Sequence, residues 1–188
     1  MRKSALSERS ESKGFTLVEL LVVIAIIAIL AAVVVLIINP LELTRRGRDA
    51  ARLTDLANLQ QAINVAVQEA TSSAATILCK DTTTPCEGKS NTGTRTANGT
   101  GWVKVDLSAQ QSVSVPTLPT DPTNSTIYHY TYCSDGTGWE IDAVLESDKE
   151  KAKMANDGGN ENATDSTGRY EVGSKLTLVA PSGGSCTF

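Results

Sequence analysis

Between Phe15 and Ile38 the chain runs for 24 residues with only Thr16 and Glu19 polar. As a helix this run covers roughly 36 Å, against a bilayer hydrocarbon core of about 30 Å. Its apolar residues surround the helix with no polar face, the pattern of a membrane span or of the interior of a large helical assembly. The rest of the chain cannot wrap such a helix. It is rich in Thr, Ser, Asn, Gly and Asp, aromatic residues make up 4% of the whole, and every Ile before residue 63 lies inside the run. One evenly built soluble core is thereby excluded. A secretory signal is excluded on length, because its apolar region spans about 7–15 residues and ends at a small-residue cleavage site. Here Ala28, Ala31 and Ala32 lie within the run.

The flanks are more specific. Residues 1–14 are short and polar, ending in Lys13-Gly14, and Phe15-Thr16-Leu17-Val18-Glu19-Leu20-Leu21 follows. Gly14 lacks a Cβ, so an active site can approach the backbone closely there. Glu19 is the anomaly, since a carboxylate at the bilayer centre costs about 2.5–3.5 kcal/mol and such residues are paired and functional. One turn from the start of the run its depth, and hence its cost, is smaller. Lys/Arg residues flank the run on both sides, so charge alone does not orient it.

Lys13-Gly-Phe-Thr-Leu-Val-Glu-Leu-Leu21 resembles the class III leader junction of type IV pilins and type II secretion pseudopilins, with a match over residues 11–38. The resemblance implies a cleaved leader at 1–14, cut by a prepilin peptidase after Gly14, and N-methylation of Phe15. It also implies a transmembrane and filament-core helix at 15–38, in which Glu19 sets register by pairing with the Phe15 amine of a neighbouring copy. The expected partners are the chain itself, the peptidase, the membrane before assembly, and the assembly platform with its ATPase. The expected course is from a single-pass inner-membrane precursor, N-terminus inside, to an extracellular filament.

Asn39-Pro40-Leu41-Glu42 breaks the helical pattern, because Pro40 lacks an N–H and clashes with the preceding turn. The same residues read as a helix start, with Asn39 as N-cap, Pro40 at the first position and Glu42 at the third. A second, amphipathic helix is expected to about Ser73, within a segment 39–75. Leu53, Leu56, Leu59, Ile63, Val67 and Ala70 form its apolar stripe, and Arg45, Arg48, Asp49, Arg52, Asp55 and Gln61 lie on other faces. The Arg45–Arg52 cluster then meets lipid headgroups or pairs with acidic surfaces of neighbouring subunits.

Residues 76–188 form the expected globular β head. After a polar connection over 71–100, strands are predicted at Trp102–Leu107, Thr126–Cys133 with Tyr128, Tyr130 and Tyr132 on one face, Gly138–Leu145, and Tyr170–Val179. Leu118-Pro-Thr-Asp-Pro122, the Tyr-rich strand and Gly138-Trp-Glu-Ile141 resemble the globular region of pseudopilins and Gram-positive-type pilins. The fold class is α+β, a long N-terminal helix, kinked or broken near Asn39-Pro40, on a small antiparallel sheet. Cys79, Cys86, Cys133 and Cys186 all follow the membrane run and allow three disulfide pairings; Cys79–Cys86 with Cys133–Cys186 is favoured because it pins the tail to a strand.

Catalytic signatures are absent: there is no Gly-x-Ser-x-Gly, no P-loop and a single histidine, His129. The chain reads as a structural protein, not an enzyme. Asp157, Asn160 and Asp165 sit in an acidic, amide-rich run that offers oxygen ligands of the calcium type without EF-hand spacing. A solvated loop is the reading adopted, with no metal or cofactor. A net charge of −4 argues against a general nucleic-acid binder. The function expected is a type IV pilus-like filament subunit. The alternatives are a pseudopilin of a secretion or DNA-uptake machine and a membrane-anchored adhesin or calcium-binding domain that does not polymerise.

Overall fold

A computed structural model describes residues 14–80, 83–108, 110, 112, 115–180 and 184–188. The leader residues 1–13 lie outside the described residues. The chain divides into two compact units, Met1–Pro40 and Leu41–Phe188.

In the first unit the apolar run forms helix α1, Leu17–Ile38. It ends because Asn39 takes the left-handed conformation (φ 44°, ψ 78°), which Asn tolerates better than branched residues do, and because Pro40 cannot supply the next helical N–H. The expected break falls here.

Helix α2 runs over Pro40–Glu69 and belongs to the second unit from Leu41 onward. It stops four residues short of the expected end. Ser73 instead caps a short helix, α3, Ala74–Leu78, its hydroxyl accepting the Thr76 N–H. Four antiparallel strands follow, β1 Cys86–Lys89, β2 Thr131–Ser134, β3 Trp139–Ala143 and β4 Tyr170–Gly173, in spatial order 1-2-3-4. The fold class is α+β, as expected.

The register sets two faces. Thr131 opposes Asp142, Tyr132 opposes Ile141, and Ile141 opposes Val172. Because side chains alternate, Tyr132, Trp139, Ile141, Ala143 and Val172 line one face and join Leu56, Leu59, Ala62, Ile63 and Ala66 of α2 in the main core. Thr131, Cys133, Glu140, Asp142 and Glu171 line the other. There Leu178, Val179, Cys186 and Phe188 form a second, smaller apolar cluster with Cys133.

Three strand expectations need correction. Thr126–Cys133 pairs only from Thr131, and the tail of Tyr170–Val179 leaves the ladder after Gly173. Trp102–Leu107 is not a strand: Val103, Val105 and Leu107 are buried and alternate with half-buried Lys104 and Asp106, yet the segment joins no ladder beyond an isolated bridge from Asp106 to Asn98. Their segment's backbone bonds go to scattered partners, with the Trp102 N–H on the Thr94 carbonyl, the Leu107 N–H on Ala97, and the Lys104 carbonyl accepting from Lys80. Conversely β1 lies inside the stretch expected to be a polar connection.

The candidate assembly segment and the head that carries it

Gly14 is exposed, and nothing lies within 4 Å of where its Cβ would be. Phe15 is 85% exposed. Thr16 is the N-cap of α1 in extended geometry, and its hydroxyl accepts the Glu19 N–H at 3.2 Å. Glu19 reciprocates: its carboxylate accepts the Thr16 N–H at 2.9 Å and the Thr16 hydroxyl at 2.7 Å. This is a complete capping box, which satisfies orphan donors at a helix start and places a negative charge where the helix dipole favours it. The expected anomaly at Glu19 thus has a local function within one chain as well as any it has between chains. The box holds the carboxylate one turn from the Gly14–Phe15 bond. Beyond it, every side chain from Leu17 to Val35 is exposed, in a helix long and apolar enough to cross a membrane.

Residues 9–35 match the family described as the prokaryotic N-terminal methylation motif, the class III signal of type IV pilins and pseudopilins. The motif supports, in general terms, a type IV pilin-like or pseudopilin subunit. Comparison with curated proteins and with solved structures gave no match. The signal implies processing of this pilin-like subunit by prepilin peptidase and assembly into a pilus-type filament, and the apolar helix fits membrane anchoring of the precursor.

The second unit, Leu41–Phe188, contains a site that differs from the sequence reading. Asp49 and Arg52, expected on the polar faces of α2, are fully buried. Arg52 donates through Nε and Nη2 to both Asp121 oxygens, at 2.6 and 2.9 Å, and through Nη1 to Asp49 at 2.7 Å. Its Nη2 also lies 2.7 Å from Glu146. Arg48 makes a two-pronged pair with Glu146, Nε donating at 2.8 Å and Nη2 bonding the second oxygen. Asp49 further accepts the Glu146 and Ser147 N–H groups. Glu42, expected at the third helical position, accepts the Ser147 hydroxyl at 2.5 Å. The first turns of α2 are thereby tied to the 144–147 and 121–124 loops. This corrects both readings of the Arg45–Arg52 cluster for Arg48 and Arg52, whose charges are satisfied by their own chain. Burial raises the Glu146 pKa, but hydrogen bonds from Arg48 and Arg52 outweigh it and hold the carboxyl at about 2.

The buried positions of α2 are 49, 52, 56, 59, 62, 63 and 66, so the charged pair continues the helical stripe. That spacing was the available signal, hidden because charged residues are almost never fully buried unless paired. Leu53 and Val67, expected in the stripe, flank it.

The four cysteines form two disulfides, Cys79–Cys86 and Cys133–Cys186. The Asp157, Asn160 and Asp165 set is engaged in local turns. Asp157 accepts the Gly159 and Glu171 N–H groups, and Asp165 accepts from Thr167. Among the described residues no group of three or more His, Cys, Asp or Glu is placed to hold a metal ion. His129 is buried, stacked on Phe188 with ring centroids 4.2 Å apart. It precedes β2, so it lies outside any strand and not within the strand expected over Thr126–Cys133.

Proposed function

We propose that this pilin-like subunit is the structural protomer of a type IV pilus filament, with no catalytic site and no required cofactor, delivered from the membrane to an extracellular polymer. The observation that carries the reading is α1, with an apolar surface open from Leu17 to Val35 directly after a capped, accessible cleavage junction. In lipid and in a bundle of identical helices this surface meets apolar neighbours, so the hydrophobic term nearly cancels between the two and close packing decides. Ala28 and Ala32, four residues apart, permit close approach. In water each exposed Leu, Ile or Val forfeits about 1.5–3 kcal/mol, which holds an assembled filament together. Cleavage frees the Phe15 amine beside the Thr16–Glu19 box, where a neighbouring copy's Glu19 can take it as partner.

Mass spectrometry of sheared surface material tests this: it should give an N-terminal, methylated Phe15, and Met1 retained on a functional surface protein would overturn it. Gly14→Ala should leave uncut precursor in the membrane. Glu19→Ala should be cut normally yet yield few filaments, and an unchanged yield would refute the pairing. A pseudopilin shares this chemistry and differs in partners. Long filaments on sheared cells at native expression favour the pilus, and their absence with intact processing favours the secretion or uptake machine.

A further inference from the structure

The second face of the sheet carries an arrangement that assembly does not explain. Glu140, Asp142 and Glu171 are buried there side by side, with Asp142 directly opposite Glu171 and, on its other side, Thr131. Each of two carboxylates holds a loop. Glu140 accepts the Leu178 and Val179 N–H groups of the strap 174–180, at 2.7 and 3.3 Å. Glu171 accepts the Asn160 and Glu161 N–H groups, at 3.3 and 3.0 Å. Asp142 holds nothing: both its oxygens, Glu140 Oε1 and the Thr131 hydroxyl are buried without a partner. Asp142 lies two residues from Glu140 on the same face of the strand and directly opposite Glu171, so the three buried carboxyl groups are neighbours.

Two ionised carboxylates in contact repel, whereas one proton between them makes a hydrogen bond. The cations nearby do not neutralise the set. Arg169, just before β4, spends Nη1 on the Ser166 and Gly168 carbonyls and lays its guanidinium over Phe188 at 3.5 Å. His129 faces the same region but burial lowers its pKa and keeps it neutral. The 157–161 loop adds the further acids Asp157 and Glu161, and the strap contributes Leu178 and Val179 with their backbone N–H groups.

We propose that Glu140, Asp142 and Glu171 form a proton-holding latch that keeps the strap 174–180 and the 157–161 loop docked on the sheet, and that loss of the proton at higher pH releases them. Cys186, fixed to Cys133, keeps the released strap tethered. The direction of titration agrees with the geometry: burial, then contact with Glu140, pushes Glu171 up to about 8, and burial with the neighbouring acids raises Asp142 well above its ordinary value. Groups with raised folded pKa stabilise the docked state fully below their unfolded pKa and lose that contribution as pH rises through the folded value.

The test is hydrogen exchange by mass spectrometry on the full chain in detergent micelles. After correction for intrinsic rates, the opening equilibrium of peptides covering 157–161 and 174–180 should rise about tenfold between about pH 6.5 and 8.5, while peptides from α2 over 56–66 stay level. Asp142→Asn with Glu171→Gln should flatten that rise. A level response in the wild type, or an unchanged rise in the double variant, overturns the latch. Should the variant not fold, the infrared carbonyl stretch of a protonated carboxylic acid in the wild type decides. It must be present near neutral pH and vanish as the strap opens, and its absence overturns the proposal.

Discussion

Replacing Arg52 with Met is the sharpest perturbation of the head. Met keeps much of the side-chain length and removes the charge and all five donors. Its loss leaves Asp49, Asp121 and Glu146 gathered around an empty centre, with Asp49 fully buried and Asp121 nearly so. Removing one partner from a buried ion set costs about 3–5 kcal/mol, because the remaining charges keep their desolvation penalty without compensation. The structure argues for the lower end. Asp49 retains the Glu146 and Ser147 N–H groups, Asp121 retains those of Thr123 and Asn124 at 2.7 and 3.1 Å, and Glu146 retains Arg48. A loss of about 3 kcal/mol corresponds to a fall of roughly 6–12 °C in Tm for a unit of this size.

Thermal unfolding of the full chain in micelles, followed by the fluorescence of the buried Trp102 and Trp139, reads this directly. A second readout separates an electrostatic hub from a lost contact. Glu146, held at about 2, stabilises the fold above its unfolded pKa and loses that contribution as pH falls toward 2. Without Arg52 the Glu146 pKa climbs back toward its ordinary value, so acid unfolding begins at a higher pH. A loss under about 1 kcal/mol with an unmoved acid transition would place Arg52 with ordinary surface pairs and refute the hub.

Removing the tail disulfide by Cys133→Ser with Cys186→Ser opens a bridge between residues 53 apart in sequence and should cost about 2–5 kcal/mol in the same melt; a change under about 1 kcal/mol would refute its pinning role. Gly88→Ala places a Cβ 2.1 Å from the Trp102 carbonyl oxygen, a backbone clash that no rotamer relieves. The variant should melt lower and expose Trp102 fluorescence to quenchers, and a wild-type melt would show that the β1 edge and Trp102 do not meet as described. Burial lowers the His129 pKa, so the unfolded state binds more protons below about pH 6.5 and stability drops as the pH is lowered there. His129→Phe, which can keep the stack on Phe188, should flatten that acid slope in urea titrations, and an unaltered slope would assign it to other groups.

The legible parts of this protein were those where one physical term dominates. The apolar run allows few solutions in water, and Pro40 cannot continue a helix, so α1 and its end follow from residue type. The apolar half of the α2 stripe, Leu56, Leu59 and Ile63, follows from period. The disulfide pairing matches the preference for pinning the tail. What stayed hidden depends on partners far along the chain. Asp49 and Arg52 read as surface because their compensation comes from Asp121 and Glu146, residues 69 or more positions away. Glu140, Asp142 and Glu171 alternate with apolar neighbours as an exposed strand face would, and only the strap that covers them makes them buried. Trp102–Leu107 has the composition of a strand but joins no ladder, so composition misleads. Its core residues are held by single bonds to several segments.

The buried network also narrows how copies of this subunit can associate. The apolar stripe of α2 is consumed by its own sheet, since Leu56, Leu59, Ala62, Ile63 and Ala66 are all within the main core. The arginines that look best suited to acidic neighbours, Arg48 and Arg52, are consumed by Glu146, Asp121 and Asp49. Recruiting either set for contacts between subunits would cost the head its core or its ion hub, several kcal/mol in each case. Helix α1 has no such prior commitment: its described apolar side chains are exposed along the span, and Phe15 and Leu17 stand most open. In a filament of the proposed kind, α1 is therefore the segment free for contacts between copies, and α2 serves the head. Variants along α2 should change the melt of the monomer before they change filament yield, and variants along α1 should do the reverse.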